Sequence, residues 1–441
     1  METPPTSTNQ WTEDGQRGGV CLRTCAVAAG AGILCGAIAV LFRLALRAAA
    51  NGDAFVLAAA DAAPDSGWLL LVALFAVLGA LAGWMTDRFA PEGAGSGIPH
   101  VKGVLQRGLV MRWQRLIPVK FVGGLSALGA GMSLGREGPT VQMGAAISEA
   151  LAQRFHLTPH VRRALIAAGA GAGLTAAFNA PLAGFVFVLE ELHVELGALT
   201  YATGLIATVA SNLVMQVGLG ARPVLDIGDV PLLPPQQLWL FACLGLLCGL
   251  LGVLFNRGIV SSLDAFGGWQ NKRRWLHGTL AGVAVAVVAW GFPDAIGGGE
   301  HTAERLLSSG FSITDPLRYF ALLLVLKFFL TLVCYGSGVP GGVFAPLLAI
   351  GAALGAFVGY SLEPLFPGLA IVRPLAMAGM VGTFTGSIRV PVTGIILIIE
   401  MTSSQHHLLE YTVTALAAYL VGTWLRDRPL YDALLERDRS H

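Results

Sequence analysis

The amino-acid sequence predicts an all-α polytopic membrane protein, and three observations carry this prediction. Hydrophobic residues make up 54% of the chain and charged residues only 12%, whereas soluble domains carry roughly 25% charged side chains. Apolar runs that approach or reach the length of a membrane-spanning helix recur along the chain. Glycine accounts for 57 of the 441 residues, and much of it lies inside those runs, which is typical of closely packed membrane helices.

The apolar runs follow one another along most of the chain. They occupy residues 26–46, 68–84, 199–217, 238–255, 276–290, 319–334 and 411–424. Between them, segments around 91–100, 135–140 and 336–346 are too short or too interrupted by glycine and proline to span a bilayer. We therefore expect helices that break inside the membrane, an arrangement that transporters use to build ion sites. Gly351, Gly355 and Gly359 recur every fourth residue and predict a close helix contact.

The distribution of charge between loops predicts the orientation, because cytoplasmic loops carry the excess of Lys and Arg. No secretory signal peptide precedes the first apolar run. Basic residues cluster in 107–120, ending at Lys120, and in 154–163, 272–274 and 426–439, whereas segments 51–66 and 220–235 are mainly acidic. We expect the basic segments and both termini inside and the acidic segments outside. The net charge of +1 gives no support to nucleic-acid binding.

The six cysteines predict neither a metal site nor a disulfide framework. They are Cys21, Cys25, Cys35, Cys243, Cys248 and Cys334. The pair Cys21 and Cys25 has no nearby histidine to complete a zinc site. We therefore expect small apolar packing residues and no metal or cofactor.

An internal repeat divides the chain into two halves. The run 181–190, Pro-Leu-Ala-Gly followed by five apolar residues and Glu190, matches the run 391–400, which ends at Glu400. Upstream, Pro139 and Gly144 match Pro346 and Gly351, which places Glu137 opposite Phe344. The predicted domains are a cytoplasmic N-terminal tail (1–25), a first membrane repeat (26–219), a connecting loop (220–235), a second membrane repeat (236–424), and a C-terminal helix and tail (425–441). Matching broken segments make inverted repeats the favoured arrangement.

Four segments have the composition of helix starts that attract anions. They are Gly-Ser-Gly-Ile-Pro at 95–99, Gly-Arg-Glu-Gly-Pro at 135–139, Gly-Gly-Val-Phe-Ala-Pro at 341–346 and Pro-Leu-Tyr at 429–431. Proline suits the first turn, and the free amides of a helix start carry partial positive charge. Several amide and hydroxyl donors bind an anion weakly enough to release it, which suits a transport pathway. Chloride is the simplest anion for such a site.

At these residues the chain resembles the CLC family of chloride channels and chloride/proton antiporters. The segments at 95–99, 135–139 and 341–346, the Glu190-Glu191 pair and Tyr431 all stand in the order of the family. The resemblance implies about 18 membrane helices, many short, broken or tilted, in two inverted-topology repeats. It also implies a homodimer with one pathway per subunit. No soluble CBS domain is expected after residue 424, which predicts a prokaryotic-type member in a bacterial inner membrane.

The resemblance implies that a central chloride is bound by the hydroxyls of Ser96 and Tyr431 and by the backbone amides of Val343 and Phe344. Three structural alternatives stay open. Ser96 can cap a helix, Tyr431 can be an interfacial aromatic residue, and Phe344 can serve packing alone. Serine at this position of the first segment resembles chloride-selective members more than nitrate-selective ones.

Glu137 has the clearest physical logic, because an ionised carboxylate at membrane depth is costly unless it faces donors or a polar pathway. Deprotonated, it fills the outer chloride position; protonated, it loses that attraction and swings aside, so proton and chloride occupancy become alternatives. Gly135, Arg136, Gly138 and Pro139 are expected to support this helix start. The structural alternative is an ion pair with Arg136.

Antiport also needs a proton acceptor on the cytoplasmic side, and the resemblance assigns this role to Glu191. Glu190 and Glu191 lie about 100° apart if the segment is helical, so they cannot share a face. We therefore expect Glu190 and Glu400 to have structural or water-organising roles, with participation of Glu190 in proton transfer as the alternative. Lys102 departs from the family pattern and is expected to raise the local anion concentration near the inner mouth.

The predicted function is secondary active exchange of chloride for protons, with a glutamate gate that competes with chloride. The principal alternative is a passive voltage- or proton-gated chloride channel of the same fold. A fluoride exchanger is opposed by Ser96, Glu191 and Tyr431 together. An intramembrane serine hydrolase that uses Ser96 lacks a Gly-x-Ser-x-Gly segment and a paired histidine, so no enzyme activity is expected.

Overall fold

A computed structural model describes residues 14–61, 67–193, 197–267, 273–308 and 313–440. Within these ranges the chain forms helices and no strand; its only β-type pairings are two isolated bridges between loops. The predicted all-α fold class is confirmed.

The first half of the chain contains helices α1 to α9. Their bounds are α1 (Asp14–Asp61), α2 (Gly67–Phe89), α3 (Ile98–Arg107), α4 (Trp113–Pro118), α5 (Gly124–Gly129), α6 (Glu137–Arg154), α7 (Pro159–Phe178), α8 (Pro181–Glu190) and α9 (Ala198–Leu219). A π-helical turn, Val119–Gly123, joins α4 to α5.

The second half contains helices α10 to α18. Their bounds are α10 (Leu238–Ala265), α11 (Arg274–Gly291), α12 (Glu300–Leu307), α13 (Pro316–Gly336), α14 (Phe344–Leu362), α15 (Val372–Ile388), α16 (Pro391–Thr402), α17 (Leu408–Trp424) and α18 (Leu430–Ser440). Short 3-10 turns precede α10, α12 and α17 and follow α14.

The helices of the two halves correspond in their ends as well as in their order. Helix α7 is followed by the cap residue Asn179, whose φ of 53° is left-handed, and α15 is followed by Arg389, whose φ is 68°. The next helix begins in both halves with proline, at Pro181 and Pro391. The same backbone turn therefore introduces α8 and α16, which supports the internal repeat.

Contacts between α8 and α16 reveal the relative direction of the two halves. Glu190, at the end of α8, accepts a hydrogen bond of 2.7 Å from the amide of Thr393 in the first turn of α16. Glu400, near the end of α16, accepts one of 2.8 Å from the amide of Ala183 in the first turn of α8. Each helix end thus meets the start of the other, so the matching helices are antiparallel, as inverted repeats require.

Six of the described helices are long and apolar enough to cross a membrane. The qualifying segments are Leu22–Ala50, Gly67–Phe89, Ala198–Leu219, Pro235–Ala265, Pro316–Gly336 and Phe344–Leu365. Helices α14 and α15 pack closely through the glycines that recur every fourth residue. A Cβ added at Gly351 would collide with the carbonyl oxygen of Gly379, and one at Gly359 would lie 2.7 Å from the Cα of Val372.

Several predicted boundaries and loops differ from the structure. Helix α1 begins at Asp14, inside the segment predicted as a tail, and it continues to Asp61 through most of the predicted outer loop 51–66. The acidic side chains and the glycine in this segment predicted a loop. A helix that is longer than its apolar part can carry both residue types, so the prediction of a loop was wrong. Residues 1–13, 62–66 and 268–272, including Lys272, lie outside the described residues.

Lys120 corrects the prediction that it belongs to an exposed basic loop. It lies in the π-helical turn between α4 and α5 and is fully buried. Its ammonium donates a hydrogen bond of 2.7 Å to the carbonyl oxygen of Gly95. Lys120 therefore supports the loop before α3 rather than marking the cytoplasmic face.

Candidate functional site

The loops that precede α3, α6 and α14 are hydrogen-bonded to one another. The amide of Gly341 donates to the carbonyl of Gly95 at 3.0 Å. Gly135 and Gly342 exchange two such bonds, of 2.8 and 2.7 Å. The starts of three helices consequently meet in the protein interior, where their free amides and dipoles favour an anion.

Glu137 is the first residue of α6 and is fully buried at this meeting point. Its Oε1 accepts a hydrogen bond of 2.7 Å from the backbone amide of Phe344, the first residue of α14. Its Oε2 has no hydrogen-bond partner in the described part of the chain. The carboxylate therefore occupies an anion position at the start of α14, and its partner is the residue that the repeat matches to it.

Two glycines make room for this carboxylate. A Cβ built on Gly135 would collide with both carboxylate oxygens of Glu137, and one built on Gly342 would collide with Oε1. Gly138 has a different contact, because its Cβ would lie 2.7 Å from the carbonyl oxygen of Ser96. The glycines of the two segments are thus required by close approach, and Gly135 and Gly342 both border the Glu137 carboxylate.

Gly135→Ala is expected to displace the Glu137 carboxylate and to weaken proton coupling while chloride still moves. The three nearest atoms to the added methyl group all belong to the Glu137 carboxyl group, so the flexible side chain moves rather than the backbone. Proton-to-chloride flux ratios in liposomes measure the effect. Gly129→Ala is the matched control, since its Cβ makes ordinary contact with Ala49 at 3.5 Å; equal ratios in the two variants would contradict the prediction.

Two buried hydroxyl groups lie near the same point without a hydrogen-bond partner among the described residues. Ser96 and Tyr431 are each fully buried, and neither Ser96 Oγ nor the phenol oxygen of Tyr431 is paired. Burying an unpaired hydroxyl is costly, so a polar guest is expected there. The N-cap residue of α3 is Gly97 and no side chain caps the helix, which removes the capping alternative for Ser96. Full burial removes the interfacial alternative for Tyr431.

Val343 and Phe344 complete the arrangement from the second half of the chain. Val343 stands immediately before α14, and both residues are fully buried. The ring of Phe344 packs against Phe384 at 4.8 Å between centroids and against Tyr431 at 5.8 Å. Phe344 therefore contributes packing through its ring and an anion-binding donor through its amide.

Arg136 points away from Glu137, although it is adjacent in sequence. Its guanidinium forms an ion pair of 2.8 Å with Glu300 and donates to the carbonyl of Ala177 at 3.1 Å. The predicted alternative, a pair between Arg136 and Glu137, is wrong because neighbouring side chains at a helix start diverge. Arg136 and Glu300 instead line a cavity of about 590 Å³ beside Gly135, together with Arg43.

Lys102 was predicted to act as a cation near the inner mouth, and the structure corrects this. Its side chain is only 2% exposed and forms ion pairs with Glu191 at 2.8 Å and with Asp432 at 2.6 Å. A paired and buried ammonium presents no free charge to a passing anion. The sequence did not predict this contact, because the partners are far apart along the chain. The only signal was that Lys102 departs from the family pattern.

Glu191 is almost completely buried just after α8. The ring of Tyr431 packs against Phe344, whose amide binds Glu137, and the next residue, Asp432, pairs with Lys102, the partner of Glu191. Glu190 faces elsewhere, because its carboxylate accepts hydrogen bonds from the first turn of α16. Among the described residues, no group of three or more His, Cys, Asp or Glu side chains is placed to hold a metal ion.

The family of the protein follows from a comparison with known families. The model of the voltage-gated chloride channel family matches residues 78–423, most of the chain. The chain belongs to this family. The helix starts that meet around Glu137 are the segments on which the resemblance to CLC proteins rests.

Curated relatives of this CLC chain carry the name of one activity. The H(+)/Cl(-) exchange transporter ClcA of Yersinia pestis bv. Antiqua (strain Angola) is 40% identical over 379 residues, which cover 84% of this chain and 78% of the relative. The H(+)/Cl(-) exchange transporter ClcA of Klebsiella pneumoniae subsp. pneumoniae is 38% identical over 379 residues, covering 84% of this chain and 79% of the relative.

Solved structures agree with the CLC fold of two inverted-topology repeats. A slow cyanobacterial Cl-/H+ antiporter superposes with a TM-score of 0.89 at 34% identity, covering 94% of this chain and 98% of the other. A eukaryotic CLC transporter gives a TM-score of 0.80 at 23% identity, covering 94% and 74%. A CLC-type fluoride/proton antiporter gives 0.73 at 23% identity, covering 91% and 95%. The last two establish similarity of fold alone.

Proposed function

We propose that this CLC protein is a secondary active transporter that exchanges chloride for protons. The observation that supports this most strongly is the position of the Glu137 carboxylate, which accepts a hydrogen bond from the Phe344 amide at the start of α14. An anion that occupies a helix start as part of the protein excludes a free anion from the same donors. Protonation neutralises Glu137 and frees the donors, so that a proton and a chloride ion alternate at one position.

The central chloride is proposed to bind between the hydroxyls of Ser96 and Tyr431 and the amides of Val343 and Phe344. The Phe344 amide is held by Glu137 in this structure and becomes free when Glu137 is protonated. The two hydroxyl oxygens are buried and have no hydrogen-bond partner in the described part of the chain, which supports the binding of an anion between them. All four donors are neutral, so binding relies on partial charges and allows release.

Proton transfer on the cytoplasmic side is proposed to use Glu191, which is buried and pairs with Lys102 at 2.8 Å. Glu190 and Glu400 are proposed to be structural, because each is engaged at the start of the other's helix. Gly135, Arg136, Gly138 and Pro139 are proposed to hold the gate helix in place. The three relatives described above with more than a third of identical residues are two exchange transporters and one antiporter, which favours exchange over the passive channel.

The protein is an integral membrane protein, and we place it in the bacterial inner membrane with both termini cytoplasmic. Its bacterial relatives and the distribution of basic residues along the chain support this proposal. A homodimer with one pathway per subunit is proposed from the family. Chloride, protons and lipid are its proposed partners; no cofactor or nucleic acid is proposed.

Purified protein in liposomes is expected to drive protons uphill when a chloride gradient is imposed. Exchange requires that chloride moving down its gradient takes protons in the opposite direction, whereas a channel dissipates the gradient without proton movement. The measurement is external pH together with chloride efflux, with protein-free liposomes as the control. Chloride efflux without uphill proton movement would refute exchange and identify a channel.

A further inference from the structure

A buried lysine joins two carboxylates at the inner side of the site. Lys102 Nζ lies 2.8 Å from Glu191 Oε1 and 2.6 Å from Asp432 Oδ1. The side chains of Lys102 and Glu191 are each 2% exposed, whereas that of Asp432 is 38% exposed. This cluster, called the inner triad below, therefore has one acid facing solvent and one acid facing the interior.

The inner triad connects three elements that also carry the proposed site. Lys102 lies on α3, the helix that follows Ser96, and Glu191 directly follows α8. Asp432 lies on α18, next to Tyr431. A change in charge at the triad therefore acts on groups that are one element away from the central chloride position.

The charges of the inner triad do not balance. One ammonium stands between two carboxylates, so the fully ionised triad carries a net negative charge and can take up a proton on either acid. The other titratable groups that act on Glu191 are the carboxylate of Glu190 and the phenol of Tyr431. Glu190 is held at the start of α16. Lys102 is in direct contact with Glu191, at 2.8 Å.

We propose that Lys102 and Asp432 are positioning residues of the inward proton step, and that they set the pH at which Glu191 takes up its proton. This rests on the proposed function of Glu191. Lys102 favours the ionised form of Glu191, because an opposite charge in contact stabilises the charged state. Asp432 competes for the same ammonium and weakens that effect. When Asp432 takes a proton from the cytoplasm, Lys102 turns fully to Glu191.

The test uses two substitutions that are expected to shift the pH dependence of proton transport in opposite directions. In Lys102→Met, Glu191 is buried without a cation and keeps its proton to higher pH, so the midpoint moves up by about one pH unit or more. In Asp432→Asn, Lys102 acts on Glu191 alone, so the midpoint moves down. The measurement is chloride-driven proton uptake in liposomes over a series of symmetrical pH values.

Two further variants serve as controls. Lys102→Arg keeps the cation and is expected to restore a midpoint near that of the wild type. Asp264→Asn removes the partner that pairs with Arg437 of α18 at 2.7 Å. This pair includes no member of the triad, so the midpoint is expected to stay unchanged. A role limited to holding the helices together changes stability and rate in all these variants without opposite shifts.

The outcomes separate this inference from the proposed function. Opposite shifts of Lys102→Met and Asp432→Asn support the triad. Unshifted midpoints, or shifts of the same sign, overturn it even when Glu191→Gln abolishes proton movement. Full coupling in Glu191→Gln would instead refute the proposed function of Glu191 itself. If Lys102→Met does not fold, Asp432→Asn still tests the inference, because Asp432 is partly exposed and its substitution is expected to preserve the fold. A midpoint that does not move in Asp432→Asn contradicts the inference.

Discussion

Glu137→Ala is expected to keep chloride moving and to reduce chloride-driven proton uptake to the level of protein-free liposomes. The substitution removes the carboxylate that accepts the Phe344 amide hydrogen bond, so the outer anion position stays open to chloride at every pH. It also removes the group that would carry the proton there. Chloride efflux and proton uptake recorded on the same liposomes measure both effects, and the pH dependence of chloride efflux should flatten.

Glu300→Ala is the matched control, because Glu300 pairs with Arg136, the neighbour of Glu137 in the sequence. Glu300 is a partly exposed carboxylate that pairs with Arg136 at 2.8 Å, whereas Glu137 accepts the amide hydrogen bond of Phe344. Glu300→Ala is expected to keep coupled exchange, because the Glu137 carboxylate and its hydrogen bond from the Phe344 amide stay in place. Uphill proton movement that persists in Glu137→Ala at the wild-type stoichiometry would remove Glu137 from the exchange cycle.

The sequence predicted the position of Glu137 at a helix start, because local information is sufficient for that. A single acid in an apolar, glycine-flanked helix start is costly without a function, and the repeat places it opposite Phe344. The structure adds that these two positions are hydrogen-bonded to each other. The two residues that the repeat matches are therefore in direct contact, which sequence identity could not show.

Long-range pairing is what the sequence could not predict. Lys102 and Glu191 are 89 positions apart, and nothing local distinguishes a buried, paired lysine from a free one. Lys120 is similar, because its carbonyl partner at Gly95 is invisible to a reading of charge along the chain. The rule that basic residues mark cytoplasmic loops assumes exposure, and these two lysines do not meet that assumption.

The direction of the repeats was also beyond the sequence alone. Residue identities align Glu190 with Glu400, yet they are the same for parallel and inverted halves. The hydrogen bonds of each carboxylate to the opposite helix start distinguish the two arrangements. The same contacts explain why adjacent acids have different surroundings, since Glu190 is held by α16 while Glu191 turns inward to Lys102.

Glu191→Gln is expected to abolish proton movement while chloride continues to cross. The amide keeps the shape of the side chain but cannot take up and release a proton, so the inward proton step is lost. Lys102 keeps Asp432 as its partner at 2.6 Å, so the buried ammonium is not left without a counter-charge and the fold is expected to survive. Chloride-driven proton uptake, with chloride efflux from the same liposomes, provides the measurement.

Glu190→Gln is the control that tests the assignment of the pair. An amide oxygen still accepts the backbone hydrogen bonds at the start of α16, but more weakly than a carboxylate does. We expect a lower melting temperature in detergent with the proton-to-chloride ratio retained. Loss of coupling in Glu190→Gln with retention in Glu191→Gln would reverse the assignment. Loss in both would make Glu190 a member of the proton pathway, because a purely capping carboxylate changes stability and leaves the stoichiometry intact.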